Sequence, residues 1–506
     1  MIIIKPYNNW SNCNLFTRSN KLTIKNKMWL DEEDENEEKI PWWKIWKRRR
    51  YLVACLAFLG FCNIYTLRVN LSIAVVAMTE NKSVILENGT TIYKPEFDWN
   101  SKQTGLLLSS FFFGYITTQF VGGFIGAKVG GKKVFGLGLL VTAILTLLTP
   151  LLAKLSYEVL LAVRIVEGVF EGVTYPCIHA VWARWAPPLE RSRLATIAFA
   201  GSYVGTVIAM TTGALLANAF GWESIFYVFG VIAVIWFLAW WFIVAESPSE
   251  DPHISKKELK YILKALGDRN QNNVKHPWKD ILSSAPVWAI IVSHFSENWG
   301  FYTLLTQLPK FMKEALHFDL ASSGVMSALP YLAMSIFTLI SGYLADMCLE
   351  RKYLTTTQVR KLFNCGAFLA QTVFMLCAGF LLSPVVSSIC LTLAVGLGGF
   401  AWSGFSINYL DVGPAHASVI MGIGNTFATV PGIISPALTG FLVVDGSPSE
   451  WRNVFYIAGG VYLFGSIIYG FFASSELQPW AWESQTLNPS SKKTKGVENQ
   501  GYVSET

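Results

Sequence analysis

Charge is scarce in this sequence. Only 15% of its 506 residues are Asp, Glu, Lys or Arg, against about 25% in an ordinary soluble domain. The long polar linkers that would divide a soluble chain of this size into domains are also missing. Eight cysteines occur (Cys13, Cys55, Cys62, Cys177, Cys348, Cys365, Cys377 and Cys390), never as C-x-x-C and none in segment 79–102. That pattern argues against a disulfide framework or a zinc site, and most are expected to be small packing residues. The opening "MIIIKPYNNW" has too short an apolar stretch for a removable signal peptide, and no small-residue cleavage site follows. The first apolar run is therefore expected to act as an uncleaved anchor. Also missing are a nucleophile–base arrangement, a glycine-rich phosphate loop ending in Lys-Ser or Lys-Thr, and a cluster of metal ligands. No enzyme, metal or cofactor is expected.

What the chain has is apolar length. It is 52% hydrophobic, with 34 Phe and 19 Trp. A membrane span needs about 20 mostly apolar residues. Such runs recur at 51–78, 103–125, 134–152, 157–181, 194–217, 225–245, 286–312, 323–345, 361–382, 386–410, 418–444 and 453–473. Several contain Gly and Pro, which membrane helices tolerate. An all-α membrane protein with twelve transmembrane helices is the expected fold class.

The net charge is +6, and its distribution sets the topology. "KIWKRRR" precedes the first run. Lys128, Lys132 and Lys133 follow the second, Arg184, Arg191 and Arg193 the fourth, and Arg351, Lys352, Arg360 and Lys361 the eighth. The positive-inside rule puts these segments, and with twelve spans both termini, in the cytoplasm. Loop 79–102 then lies outside or in a lumen. It holds the sequons of Asn81 and Asn88, candidate glycosylation sites.

The expected organisation is an N-terminal tail (1–50), six spans (51–245), a linker (246–285), six spans (286–473) and a C-terminal tail (474–506). In the first tail "DEEDENEE" abuts a basic, Trp-rich stretch, which reads as a solvated segment beside an interfacial anchor. In the linker, "ISKKELKYILKAL" is amphipathic, with Leu259, Ile262, Leu263 and Leu266 on one side and lysines on the other. The halves repeat a pattern, W-x-x-[IV]-F-Y-x-x-G, at Trp222–Gly230 and Trp451–Gly459. A duplicated six-helix unit resembles the major facilitator superfamily. "GGFIGAKVGGKK" resembles its loop motif after the second helix, with Ala127 where an aspartate is usual. "GYLAD" is the counterpart in the second half.

Ionisable residues inside apolar runs cost roughly 2.5–3.5 kcal/mol each, so each is a candidate for function. Arg68 lies past the middle of the first run. Its guanidinium stays charged and offers a fork that matches a carboxylate or phosphate. It reads either as an anion-binding residue or as a fixed ion-pair partner of a neighbouring helix. In the fourth run, Arg164, Glu167, Glu171 and His179 fall at roughly 0°, 300°, 340° and 60° of helical rotation. They share one face, which must point at protein or water rather than lipid. A buried carboxyl is pulled between desolvation and nearby cations, which is what a proton carrier needs, and His179 titrates near neutrality. A structural salt-bridge network is the alternative. Tyr115, Asn298, Tyr302 and Asn425 either line a substrate cavity or make polar packing contacts between helices.

The chain closely resembles the anion:cation symporter family that holds sialin, the vesicular glutamate transporters and the type I sodium-phosphate cotransporters. The resemblance runs from about residue 50 to about 482. It rests on "TLRVNLSIAVVAM", "SSFFFGYITTQFVGG", "EGVTYPCIHAVWARWAPPLERSRL", "SENWGFYTLLTQLPKFM", "GNTFATVPGIISPALTG" and "SSELQPWAWE". It implies alternating-access transport of an organic or inorganic anion coupled to H⁺ or Na⁺, at a plasma, lysosomal or vesicular membrane, by a protein functional as a monomer. It also implies an anion-holding role for Arg68 and a proton-coupling role for Arg164, Glu167, Glu171 and His179. The vesicular glutamate transporters carry a histidine where this chain has Leu108 and an arginine where it has Glu297, which counts against a dicarboxylate. Glu297 reads as an extra protonatable or cation-binding site, or as an interface residue. The expected substrate is phosphate, an acidic sugar or a monocarboxylate, with H⁺ favoured as the coupled ion. A Na⁺-dependent phosphate cotransporter is the first alternative, and an anion channel or non-transporting sensor on the same scaffold the second. No nucleic acid partner is expected.

Overall fold

The computed structural model describes residues 48–85, 91–187, 190–266, 276–381, 383–414 and 416–481. The acidic run 31–38, the Trp-rich stretch before Arg48, Cys13, Asn88 and the C-terminal tail from Trp482 lie outside these. From Val53 onward the described residues form one unit. Spans one to three are α1 (Arg49–Met78), α2 (Ser101–Val129) and α3 (Gly131–Leu155). Segment 79–102, expected as a plain loop, contains an antiparallel hairpin, β1 (Asn81–Ile85) and β2 (Thr91–Pro95), with Val84 opposite Ile92. Asn100 then caps α2, exchanging hydrogen bonds with Gln103 in a capping box.

The fourth run was expected to be continuous over 157–181. It is two helices, α4 (Tyr157–Gly172) and α5 (Thr174–Trp185), interrupted at Val173. Pro176 accounts for the break, because it lacks an N–H and its ring clashes with the carbonyl four residues back, that of Gly172. Then come α6 (Arg191–Phe220), α7 (Glu223–Ile243) and two linker helices, α8 (Lys256–Leu266) and α9 (Trp278–Ser283). On α8 only Ile262 and Glu258 are buried. Leu263, expected on the covered side, is exposed.

The second half runs through α10 (Ala285–Glu314), α11 (Leu320–Glu350) and α12 (Thr356–Leu381). The tenth span, α13 (Pro384–Ala401) and α14 (Ile407–Val412), follows, and then α15 (Ala417–Leu442) and α16 (Pro448–Phe472). A π-helical turn, Trp402–Ser406, joins α13 to α14. Such a turn loosens the backbone hydrogen-bond ladder, and Arg360 of α12 donates Nη1–H to the carbonyl of Ser403 at 3.0 Å.

Packing repeats at an offset of six spans. The third span packs on the sixth as the ninth does on the twelfth, and the second on the eleventh as the eighth does on the fifth. The shared W-x-x-[IV]-F-Y-x-x-G pattern serves that packing. Gly230 of α7 lies against Leu147 and Ala143 of α3, and Gly459 of α16 against Leu376 and Thr372 of α12. In the loop motif, Gly130 has φ of 111°, which disfavours a side chain. An added Cβ would also meet the Glu246 carboxylate, which accepts from Arg184 at 3.0 Å. Among the described residues all seven cysteines are free thiols.

Among the described residues nine helices are long and apolar enough to cross a membrane. The fourth span is divided into two shorter helices, and the seventh carries buried polar groups, among them Glu297, Asn298 and Gln307. Gln119, Arg164, Glu167 and Glu171 are also buried. Large apolar side chains such as Phe220, Phe242, Leu339 and Phe471 instead point outward, as a lipid-facing surface requires.

The two halves meet tightly at the end that carries the hairpin. Gly105 abuts Pro436 and Gly440, and Gly324 abuts Met210 and Ala214. Glu80 accepts from Lys313 Nζ at 2.7 Å, and Lys310 Nζ donates to Ser101 Oγ at 3.1 Å. The Glu80–Lys313 pair is half-exposed, so its contribution is at most about 1 kcal/mol. Lys313→Glu should nevertheless set two carboxylates face to face and loosen this end. Labelling of a cysteine at position 77 by a membrane-impermeant thiol reagent should rise several-fold, and E80K/K313E should restore it. Equal labelling in all three proteins would show that the pair does not hold this end shut.

Candidate functional site

The embedded charges of α1 and α4 form one buried cluster. Arg68 Nε donates to Glu171 Oε1 at 2.7 Å, and Nη2 donates to the same oxygen. Arg164 Nη1 donates to Glu167 Oε2 at 2.6 Å, and Thr146 Oγ1 to Glu167 Oε1 at 3.2 Å. Arg164 Nη2 also reaches the backbone carbonyl of Arg68 at 3.3 Å, which links the two pairs. The four side chains are between 0 and 3% exposed. Two guanidiniums and two carboxylates make the cluster neutral as a set, the condition under which charges persist in a low-dielectric interior.

Aromatic faces hold the arginines. The Arg68 guanidinium lies 4.7 Å from the ring centres of Tyr65 and Tyr115 and 5.1 Å from that of Phe111, and Arg164 lies 5.3 Å from Phe111. Each such contact contributes about 0.5–2 kcal/mol. Close helix approach makes this possible. Gly114 of α2 abuts Ile165 of α4, and Gly168 of α4 abuts Phe111 of α2, where any Cβ would clash with backbone. The Tyr65 hydroxyl lies 3.3 Å from that of Tyr175, which lies 3.2 Å from Ser202 Oγ.

Hydrogen-bonding capacity is left over at the centre. Among the described residues, Arg68 Nη1, Arg164 Nε and Glu171 Oε2 are buried without a partner. Both arginines border a small cavity, with room for about one water, lined also by Val69, Ser72, Leu108, Phe111 and Phe112 of the first half and Leu305 and Thr306 of the second. The site therefore lies on the seam between the halves. Leu108, noted in the sequence for its chemistry, is one of its walls.

The other candidates fall in different places. Tyr115 is a wall of the Arg68 cage. Tyr302 meets Phe112, a cavity wall, edge to face with 4.6 Å between ring centres. Asn298 Nδ2 donates to the Ala428 carbonyl at 2.9 Å, a packing bond between α10 and α15. Asn425 Nδ2 donates to Gln119 Oε1 at 2.9 Å, across the α2–α15 seam. His179 is exposed beside Phe199, 5.5 Å between ring centres, beyond the Pro176 break and outside the buried cluster. Glu297 is buried inside the second half. Asn81 opens β1 and pairs with Pro95. Sequence reasoning missed Tyr65, Phe111, Tyr175 and Gln119. Only the one-turn spacing of Tyr65 before Arg68 and of Phe111 before Tyr115 pointed to two of them.

Three comparisons with known proteins bear on the family and the fold. The model of the Major Facilitator Superfamily matches residues 53–436. Human sialin is 42% identical over 448 residues, 85% of this chain and 90% of that protein. Vesicular glutamate transporter 3 of Danio rerio is 43% identical over 86% of this chain and 74% of that one, and vesicular glutamate transporter 1 of Bos taurus 43% identical over 86% and 78%. Among solved structures, an E. coli xylose transporter in an inward open conformation shares the fold with a TM-score of 0.64. It is 14% identical and covers 87% of this chain and 99% of its own. A bacterial homologue of the human lysosomal transporter Spinster gives a TM-score of 0.60 at 15% identity, covering 87% and 98%.

Removing one member of the Arg164–Glu167 pair leaves the other charge buried. Arg164→Ala should lower stability by about 3–5 kcal/mol, read as a fall in melting temperature of the detergent-purified chain. R164A/E167Q should recover part of the loss. A melting temperature equal to wild type in R164A would show that the pair carries no structural weight.

Proposed function

The chain belongs to the Major Facilitator Superfamily and, within it, to the anion:cation symporter family of sialin and the vesicular glutamate transporters, and from that premise we propose that it is a secondary active transporter, not an enzyme, that moves an anion by alternating access together with H⁺. The observation that carries the reading is the Arg68–Glu171 pair: among the described residues each partner keeps one buried atom without a hydrogen bond, and Arg68 borders the cavity on the seam between the halves. An arriving anion competes with Glu171 for the Arg68 fork. Once displaced, Glu171 is a carboxylate in an apolar interior, and desolvation then favours the protonated form. The charge balance has a definite sign. The four-residue cluster is neutral, the anion adds one negative charge, and a proton on Glu171 restores neutrality.

Arg164 donates both to Glu167 and to the Arg68 carbonyl, so Arg68 is the cation assigned to substrate. The walls are mainly apolar and aromatic, with Ser72 and Thr306 as hydrogen-bonding groups. We therefore favour an organic anion with one carboxylate, such as an acidic sugar or a monocarboxylate, over phosphate. The Lys and Arg pattern puts the hairpin end on the outer or lumenal side and both termini in the cytoplasm. The driving proton gradient is that of an acidic vesicular or lysosomal lumen, or of the plasma membrane. One chain contains the whole site, which suits function as a monomer.

In proteoliposomes under an imposed gradient of about one pH unit, Glu171→Gln should lower proton-driven accumulation of a labelled carboxylate about tenfold, the driving force one coupled proton supplies. Arg68→Ala should abolish anion binding itself. Undiminished pH-driven uptake by the Glu171→Gln protein would overturn the reading.

A further inference from the structure

The second half of the chain buries a carboxyl group that this mechanism leaves unused. Glu297 lies on α10 and is 1% exposed. Its carboxyl group accepts from the side-chain amide of Gln371 on α12. Both groups press on Gly398 of α13, where an added Cβ would lie 2.7 Å from Glu297 Oε1 and 2.3 Å from Gln371 Nε2. Among the described residues, Glu297 Oε2 and Gln371 Oε1 are buried without partners.

No cation balances this carboxyl among the described residues. Arg68 and Arg164 are taken by Glu171 and Glu167, Arg360 by Asp411, and Lys310 by Glu314. The titratable groups facing Glu297 are Tyr462 of α16 and Tyr203 of α6, both within electrostatic reach, and on its own helix His294, which lies 3.2 Å from the Tyr409 hydroxyl. α12 contributes only the neutral Gln371, and α13 only the backbone at Gly398. None of these carries a permanent positive charge. A bare carboxylate so placed costs several kcal/mol, so it takes up a compensating cation. A hard metal cation needs about six oxygens, whereas among the described residues Glu297 and Gln371 supply two unpartnered oxygens. Ser296 Oγ turns instead toward Gly465 of α16. Asn364 Oδ1 lies seven residues before Gln371, about 10 Å along the helix.

Polar side chains recur at one-turn intervals between the group and the end that carries the linker helices. Ser293, one turn before Glu297, accepts from Asn364 Nδ2 at 2.8 Å. One turn further, Arg360 Nε donates to Asp411 Oδ2 at 2.8 Å, and the Asp411 side chain is 19% exposed. We propose that Glu297 is a second proton-binding carboxyl, loaded along the Asp411–Asn364–Ser293 track, and that it adds a second proton to each transport cycle. The proposal builds on anion–proton symport, but its first test needs no transport.

Infrared difference spectra of the purified full chain, titrated with acid in Na⁺-free buffer, should show the carbonyl band of a buried protonated acid. Glu297→Gln should remove that band and Glu297→Asp should shift it. Identical bands in wild type and both variants would overturn the assignment. Loss of the wild-type band on adding NaCl at fixed pH would also overturn it, since the group would then bind Na⁺. Should E297Q fail to fold, the band position in E297D alone decides. In proteoliposomes, the H⁺:anion ratio from static-head measurements should fall by about one proton in E297Q and stay at the wild-type value in E297D. An unchanged ratio in E297Q would overturn the second proton. Failure of the wild type to accumulate anion would count against the symport reading and leave the infrared result intact.

Discussion

A salt bridge sealed from water, Arg68 to Glu171, is the interaction on which the centre of this molecule depends. A charged side chain at membrane depth is tolerated only with a partner. Here the partner comes from another helix, so the pair ties α1 to α4 at the level of the cavity. Glycine contacts between α2 and α4 bring Phe111 and Tyr115 over the guanidinium. Arg164 and Glu167 add a second neutral pair one turn away. Removing any one of the four charges would leave an odd charge in an apolar interior. That makes the cluster responsive to the arrival of an anion or a proton.

The rest of the bundle is arranged so that this cluster faces a seam. The first, fourth and seventh spans bury Arg68, Arg164, Glu167, Glu171 and Glu297 in the interior, and the lipid-facing surface is left to apolar side chains. The two halves close on each other at the hairpin end through glycine contacts and the Glu80–Lys313 pair. Deeper in, the seam is spanned by Gln119–Asn425 and by Phe112 against Tyr302. These are the contacts that must part if the cavity is to open from that side.

Much of this was legible in the sequence because membrane physics limits the options. Twelve apolar runs, the basic loops and the repeated Trp222 and Trp451 segments indicated two six-helix units. The spacing of Arg164, Glu167 and Glu171 indicated a shared face. Spacing alone did not show that Arg68 and Glu171 would meet, since that contact bridges 103 positions. His179 fitted the same wheel, yet Pro176 interrupts the helix between them, and a projection that assumes unbroken rotation fails there. The π-helical turn at Trp402–Ser406 has no period of its own and left no signal. The aromatic walls Tyr65 and Phe111 were hidden among 34 Phe and 19 Tyr. Gln119 and Asn425 each looked like an isolated polar residue, and only the packing of α2 on α15 joins them.

The central claim is that substrate and Glu171 compete for the Arg68 guanidinium, so that binding an anion loads a proton. Proton uptake on binding tests this most directly. The purified chain, in weakly buffered solution with a pH indicator, is mixed with a saturating carboxylate that it transports. Competition predicts about one proton taken up per anion bound, by linkage between the two sites, with uptake falling away as the solution is made acidic enough to protonate Glu171 beforehand. Anion binding with no proton uptake at any pH would contradict it.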